Sequence, residues 1–283
     1  MDHTGHTTGL RTLLAGLLAA GAISSANAAV IRSASGLDAA SITGALNDFR
    51  ADLGTLNPNS PGSLGSGRRE INWDAVPDSF SAPNLLPADF FNGAAAPRAR
   101  GAVFSTPGSG FAVSADSDNP TATPRDFANI NSSYADQFEQ FSPQRLFTAL
   151  GSNETEVRFF IPGSNTPALT RGFGAIFSDV DVTGNARIEY YDAANQLLLS
   201  QDVLGTAGLA TFSFLGASFD NAIVARVKIV SGTHALDADN NDNPLNGVDV
   251  AVMDDFVYGE PVVPEPATLS LLTIGALAMM RRR

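Results

Sequence analysis

Residues 222–230, Ala222-Ile-Val-Ala-Arg-Val-Lys-Ile-Val230, carry the clearest structural signal in this sequence. From Ile223 to Ile229 every second residue is apolar, and Arg226 and Lys228 stand between the last of them. Such alternation is typical of a strand with one buried face and one solvated face. The segment is therefore predicted to be a half-buried β-strand.

The same pattern continues on the N-terminal side of this strand. In residues 186–191, Ile188 and Tyr190 alternate with Arg187 and Glu189. Turn signals such as Thr183-Gly184-Asn185 separate short apolar segments. The other predicted strands are 102–104, 111–114, 157–161, 172–182, 197–203, 210–215 and 248–258. Many short strands broken by turns predict a mainly β fold, an antiparallel, jelly-roll-like β-sandwich.

One amphipathic helix is predicted near the N-terminus, over residues 35–53. Its apolar residues recur at spacings of four, three and four, and Gly54 follows as a stop signal: Ile42, Leu46, Phe49 and Leu53. Residues 55–97 are rich in Pro, Gly, Ser and Asn, which predicts surface loops. Residues 29–260, the body of the protein, are thus expected to have a helix- and loop-rich part (29–100) and a part made of sandwich strands (101–260).

Composition excludes several classes of function. The 283 residues carry a formal net charge of −12, which repels phosphate backbones and argues against nucleic-acid binding. The chain has no cysteine, so disulfides, thiolate metal sites and cysteine nucleophiles are excluded. Because 44% of the residues are hydrophobic, a folded core is expected.

The N-terminal segment has the organisation of a secretory signal peptide. Arg11 precedes an apolar stretch over residues 13–23, and Ala26 and Ala28 fit a small-residue cleavage pattern. A signal peptide over residues 1–28, removed after Ala28, is therefore predicted. The protein is expected to be exported.

The C-terminal segment has three parts in a fixed order. The motif Pro264-Glu265-Pro266 is followed by an apolar run over 267–280 and then by Arg281, Arg282 and Arg283. As a helix the apolar run rises about 21 Å, less than the roughly 30 Å of a bilayer core. The three arginines are predicted to hold the C-terminus on the cytoplasmic side of the membrane.

Residues 261–283 resemble the PEP-CTERM sorting signal, which has the same three parts. The resemblance implies an exosortase-type processing enzyme as partner and a precursor anchored in the inner membrane, with the mature protein at the cell surface or outside the cell. Three segments of the body look like the strand signatures of exported β-sandwich proteins that often precede such tails: 172–181, 214–216 and 253–259. That second resemblance supports the fold and leaves activity open.

Catalytic motifs are absent from the sequence. It contains no Gly-x-Ser-x-Gly elbow, no Walker loop and no Gly-x-Gly-x-x-Gly motif. After signal removal His234 is the only histidine, and it lies beside a polar turn. Asp254 and Asp255 are adjacent in a predicted strand, so their side chains are expected on opposite faces, which disfavours joint action on one bond. We therefore expect no enzymatic activity.

An acidic loop is the candidate metal site. Asp237, Asp239, Asn241 and Asn243 place oxygen atoms at alternate positions, as a structural Ca²⁺ ion requires. The loop is not an EF-hand, because its sixth position is Asp242 and its twelfth is Val248. Two further acidic pairs could add ligands if the fold brings them close: Asp116 with Asp118, and Asp179 with Asp181. The alternative interpretation is a solvated acidic turn.

Trp73 is the only tryptophan, and two interpretations of it stay open. Its ring either stacks on a sugar or anchors a loop over the core, with Arg68 or Arg69 paired to an acid. Further candidate stacking residues are Tyr134, Tyr190 and Tyr191. The favoured function is a non-catalytic surface or matrix component associated with exopolysaccharide. The alternatives are a carbohydrate-binding module and, third, a polysaccharide hydrolase.

Overall fold

The computed structural model describes residues 28–263, which form two antiparallel sheets packed face to face with a helix on one outer face. Several predicted features lie outside the described residues: most of the signal peptide with Ala26, the motif Pro264-Glu265-Pro266, the apolar run after it, and Arg281, Arg282 and Arg283. Within residues 28–263 no helix is long and apolar enough to cross a membrane.

The first sheet has seven strands, and the second has five. Those of the first are β1 (Ala29–Gly36), β2 (Arg68–Ile71), β4 (Gly110–Val113), β5 (Phe147–Leu150), β7 (Gly172–Ser178), β10 (Phe212–Phe219) and β12 (Val252–Gly259). Those of the second are β3 (Ala102–Ser105), β6 (Glu154–Phe159), β8 (Arg187–Tyr191), β9 (Leu197–Asp202) and β11 (Arg226–Val230). The helices are α1 (Ala39–Leu53) and α2 (Tyr134–Gln137).

Every strand pairing in these sheets is antiparallel. The first sheet runs β1-β10-β7-β12-β5-β4, with β2 also paired to β12, and the second runs β3-β6-β11-β8-β9. Val227 and Ile229 of β11 are buried in the core between the sheets, whereas Lys228 is half-buried and forms an ion pair with Glu154. The predicted mainly β, antiparallel sandwich is confirmed.

Two local predictions were wrong. The helix begins at Ala39, because the Asp38 side chain accepts a hydrogen bond from the Ser41 N–H at 2.9 Å and caps it there. Residues 35 and 36, predicted as helix, belong to β1. Strand β1 and the short strands β2 and β5 lie in segments for which no strand was predicted. β2 and β5 have only four residues each, too few to show a period.

Helix α1 packs closely on the outer face of the first sheet. Its predicted apolar face is buried there against β7, β10 and β12. The Phe49 ring lies over Gly174 and Gly216, where an added Cβ atom would come within 2.8 and 2.9 Å of the ring. Glycine at both positions therefore allows the helix to approach, and the central strands are buried on both faces.

We predict that Gly216→Ala destabilises the protein by about 1–3 kcal/mol, because the new methyl group displaces the Phe49 ring. Gly44→Ala is the matched control, since this exposed position inside α1 has open space around it. It should stabilise by about 0.5–1 kcal/mol through helix propensity. Urea unfolding followed by circular dichroism measures both changes. Equal effects of the two substitutions would contradict this account of the helix contact.

Candidate metal centre and neighbouring acidic groups

Three carboxylates from distant parts of the chain meet at one end of β7. Asp179 directly follows β7, Asp181 lies two residues further on, and Asp242 comes from the connection between β11 and β12. One carboxylate oxygen of each lies within 4.8 Å of those of the other two. Asp179 is fully buried, while Asp181 and Asp242 are half-buried. We call these three residues the acidic cluster.

Backbone groups position the cluster. Asp179 has a φ of +69°, and its N–H donates to the Thr211 carbonyl at 2.9 Å. The Asp181 carboxylate accepts a hydrogen bond from the Gly208 N–H at 2.8 Å. The conformation at Asp179 is unusual for a residue with a side chain, and it directs the chain out of the strand.

Hydrogen bonds also hold Asp242 and the residues next to the acidic cluster. Asp242 Oδ1 accepts from the Val250 N–H at 2.8 Å, and the Gln137 amide donates to Asp179 Oδ2. Nearby Asp249 is fully buried and accepts from Asn185 Nδ2 at 2.9 Å.

The environment disfavours negative charge at the acidic cluster. Burial raises the pKa of Asp179 to about 8, and the Asp181 carboxylate adds to this effect. Burial likewise raises the pKa of Asp242 to about 7. The pKa of buried Asp249 is raised for the same reason. Since all these groups are acids with oxygen ligands, the arrangement suits a proton or a hard cation.

The cluster differs from the predicted calcium loop. Asp237 Oδ1 accepts from the Asp239 N–H at 3.0 Å, and Asn241 Oδ1 accepts from Asn131 Nδ2 at 3.0 Å. Asn243 pairs through its backbone with Val248. None of the predicted residues Asp237, Asp239, Asn241 and Asn243 belongs to the acidic cluster, which instead contains Asp242 from the same loop. The structure does bring Asp179 and Asp181 to that residue, whereas Asp116 pairs with Arg145.

The prediction that Asp254 and Asp255 point to opposite faces was wrong, because β12 contains a bulge at these two residues. Met253 lies opposite Phe177 and Phe256 lies opposite Ala175, so β12 carries one extra residue. As a result both carboxylates turn to the same hydroxyl. Ser142 Oγ lies 3.2 Å from Asp254 Oδ1 and 2.8 Å from Asp255 Oδ1.

The carboxyl groups of Asp254 and Asp255 are buried, and groups of the protein itself bind them. The Phe141 N–H donates to Asp254 at 2.7 Å, and Arg50 lies 3.7 Å from Asp255 and 2.8 Å from Glu70. Burial raises the pKa of both Asp254 and Asp255. The pair therefore fastens the segment around Ser142, and helix α1 through Arg50, to β12.

Trp73 is not available to stack on a sugar. Its side chain is fully buried, its ring stacks on Phe147 with centroids 4.0 Å apart, and its Nε1–H donates to the Asp254 carbonyl at 2.7 Å. The predicted stacking role is therefore wrong, and the alternative of a tryptophan that anchors a loop holds. Tyr134 and Tyr190 are also buried, and the Arg226 guanidinium covers the Tyr191 ring at 3.8 Å.

A polar cleft of about 610 Å³ lies beside the point where β12 ends. Asn57, Arg171, Asp220 and Asn221 line it, together with Val262, which pairs with Leu169. The Arg171 Nε–H is buried and has no hydrogen-bond partner within residues 28–263. No sequence pattern identified this cleft, because its residues come from segments far apart in the chain.

We predict that Trp73→Ala destabilises the protein by about 3–5 kcal/mol, because a large buried ring is removed. Trp73→Phe keeps a ring against Phe147 and loses part of the buried volume and the bond to the Asp254 carbonyl, so its cost should be smaller. Urea unfolding monitored by far-ultraviolet circular dichroism measures both. A Trp73→Ala protein of native stability would contradict the anchoring role.

We predict that stability in chelating buffer falls as the pH rises from 5 to 7.5. Burial raises the pKa of Asp74 and of Asp126 to about 6, so below this value the folded state binds more protons than the unfolded state. That stabilisation is lost as the pH rises through about 6. With both groups partly solvated, we expect a Tm about 2–4 °C higher at pH 5.

Differential scanning calorimetry measures this dependence, and Asp74→Asn is the control. The asparagine oxygen can still accept from the Gln144 and Arg145 N–H groups that now bond to Asp74. The variant should show a weaker pH dependence than the native chain. A Tm that rises between pH 5 and 7.5 would contradict the raised pKa values of Asp74 and Asp126.

Comparison with known proteins gives a match to the C-terminal segment. The family model of the PEP-CTERM protein-sorting motif matches residues 262–283. No curated protein and no solved structure matches the chain significantly. The motif implies export, handling by an exosortase-type system and a precursor anchored in the membrane by its C-terminal segment. The chain therefore carries a PEP-CTERM sorting motif that follows a β-sandwich body.

Proposed function

We propose that this protein is a non-catalytic component of the cell surface or extracellular matrix and that it associates with exopolysaccharide. The observation that carries the proposal is the sorting motif at residues 262–283, which follows β12 directly. A protein sorted in this way acts outside the cytoplasm, where polysaccharide is the abundant polymer at the cell surface.

The polar cleft supports association with a sugar polymer. Arg171 and Asn221 offer N–H donors, and Asp220 offers acceptors, the groups that bind hydroxyl-rich or carboxylated saccharides. The lining residues include no aromatic ring, so each contact should be weak. Many copies on one polymer would bind by multivalency.

The placement of the carboxyl pair supports a non-catalytic role. Asp254 and Asp255 are buried and engaged by Ser142, the Phe141 backbone and Arg50. A glycoside hydrolase needs two carboxyl groups that both reach the scissile bond. His234 is exposed, and its Nδ1 contacts the neighbouring Thr233 hydroxyl.

Co-sedimentation of the purified full chain with exopolysaccharide from the same bacterium tests the proposal. We predict that the bound fraction falls several-fold in Arg171→Ala and Asn221→Ala and is unchanged in Arg158→Ala. Arg158 is the matched control, since its side chain is exposed on β6. Melting temperatures of all variants show whether they remain folded.

The same samples test the absence of catalysis. No reducing ends should be released from the polysaccharide during prolonged incubation. Failure of the native chain to co-sediment would overturn the exopolysaccharide association, and release of reducing ends would overturn the non-catalytic role.

A further inference from the structure

The acidic cluster holds buried oxygen atoms that the described part of the chain leaves without partners. Asp179 is 0% exposed, and its Oδ1 accepts no hydrogen bond within residues 28–263. Adjacent Asp249 is also 0% exposed, and its Oδ1 is likewise without a partner there. Buried polar atoms in folded proteins are almost always satisfied, so these two oxygens point to a ligand.

The cluster also has no compensating positive charge from the described chain. The ion pairs formed within residues 28–263 involve other carboxylates, and none includes Asp179, Asp181, Asp242 or Asp249. Elsewhere several buried acids do pair with arginine, as Glu260 does with Arg69 at 2.7 Å. Charged groups buried without a counter-charge are strongly unfavourable.

We propose that Asp179, Asp181 and Asp242 bind a Ca²⁺ ion, with buried Asp249 beside them. The geometry fits, because two oxygens bound to one Ca²⁺ at 2.3–2.6 Å lie at most about 5 Å apart. The oxygens of the three residues lie within 4.8 Å of one another. Calcium takes six to eight oxygen ligands, among them carboxylates, carbonyl groups and water.

The donor atoms select the class of metal. The group found within residues 28–263 consists of aspartates alone, and the chain has no cysteine, so the ligands are hard oxygen atoms. Zinc and copper sites use sulfur or imidazole nitrogen instead. Gln137, whose amide already contacts Asp179, adds a further side-chain oxygen close to the cluster.

The ion would join segments that the sheets leave apart. Asp179 and Asp181 belong to the turn after β7, and Asp242 belongs to the connection of β11 to β12. The same connection contacts α2, since the Tyr134 hydroxyl donates to the Asn240 carbonyl at 2.8 Å. Calcium therefore acts as a structural cross-link that holds this long connection against the sandwich.

Thermal unfolding of the full chain tests the proposal. After treatment with chelator, Ca²⁺ at millimolar concentration should raise the Tm by about 5 °C or more, because it binds only the folded state. NaCl at the same ionic strength should not reproduce this shift. Mg²⁺ at the same concentration should give a smaller one, since it demands a tighter octahedral site.

Two variants of the same loop locate the ion. Asp242→Asn should abolish the calcium-dependent shift, and its chelated form should melt no lower than the native chain. The new amide oxygen can still accept from the Val250 N–H, and one carboxylate charge is removed. Asp239→Asn is the matched control, because Asp239 is exposed and lies outside the cluster. It should keep the full shift.

Terbium luminescence gives a second readout that does not depend on stability. Tb³⁺ replaces Ca²⁺ in oxygen sites, and the Tyr134 hydroxyl donates to the carbonyl of Asn240, two residues before Asp242. Excitation of tyrosine should therefore give Tb³⁺ emission that Ca²⁺ displaces and that Asp242→Asn loses. Tyr134→Phe should lose the emission and keep a calcium-dependent Tm shift.

Three results would overturn the proposal. The first is a calcium-dependent shift no larger than that produced by NaCl. The second is a shift of full size in Asp242→Asn, which would place the ion elsewhere. The third is an equal loss of the calcium-dependent Tm shift in Asp239→Asn and Asp242→Asn, which would indicate a diffuse effect of the acidic surface.

Discussion

Burial of β12 on all sides is the constraint on which the other features depend. Its residues are buried from Val252 to Gly259, with β7 along one edge and β5 and β2 sharing the other. Met253 and Phe256 both belong to the core between the sheets although they are three positions apart. An uninterrupted strand would send them to opposite faces. The bulge at Asp254 and Asp255 shifts the alternation of side chains along β12, so the side chains of Met253 and Phe256 both reach the core.

The bulge explains why Trp73 lies in the core. An extra residue in a strand leaves backbone groups outside the ladder, and each buried group needs a partner. The Trp73 indole supplies one, because its N–H bonds to the Asp254 carbonyl while its ring covers Phe147. The two aspartates, turned to one side, bind Ser142 and the backbone beside it. A local irregularity of one strand thus fixes two distant segments.

The spacing of apolar residues along the sequence predicted the strands of the sandwich and the buried face of helix α1. The alternation in residues 222–230 and the apolar face of α1 identified the sandwich and the packing helix. The bulge at Asp254 could not be predicted, nor could the choice between the two interpretations of Trp73, because both depend on partners far along the chain. The acidic cluster shows the same limit. Asp179 and Asp181 were recognised as an acidic pair, but their third member, Asp242, is adjacent only in three dimensions.

Part of the acidic composition is accommodated by buried ion pairs. Near β12 and β2, Arg69 and Glu260 form a fully buried pair with bonds of 2.7 and 2.8 Å. Breaking such a pair leaves an uncompensated charge in the interior, which is strongly destabilising. Glu260 lies two residues before the sorting motif begins at residue 262. The sorting segment is therefore joined to the body just after a strand that is buried along its whole length, at a point secured by an ion pair as well as by the sheet.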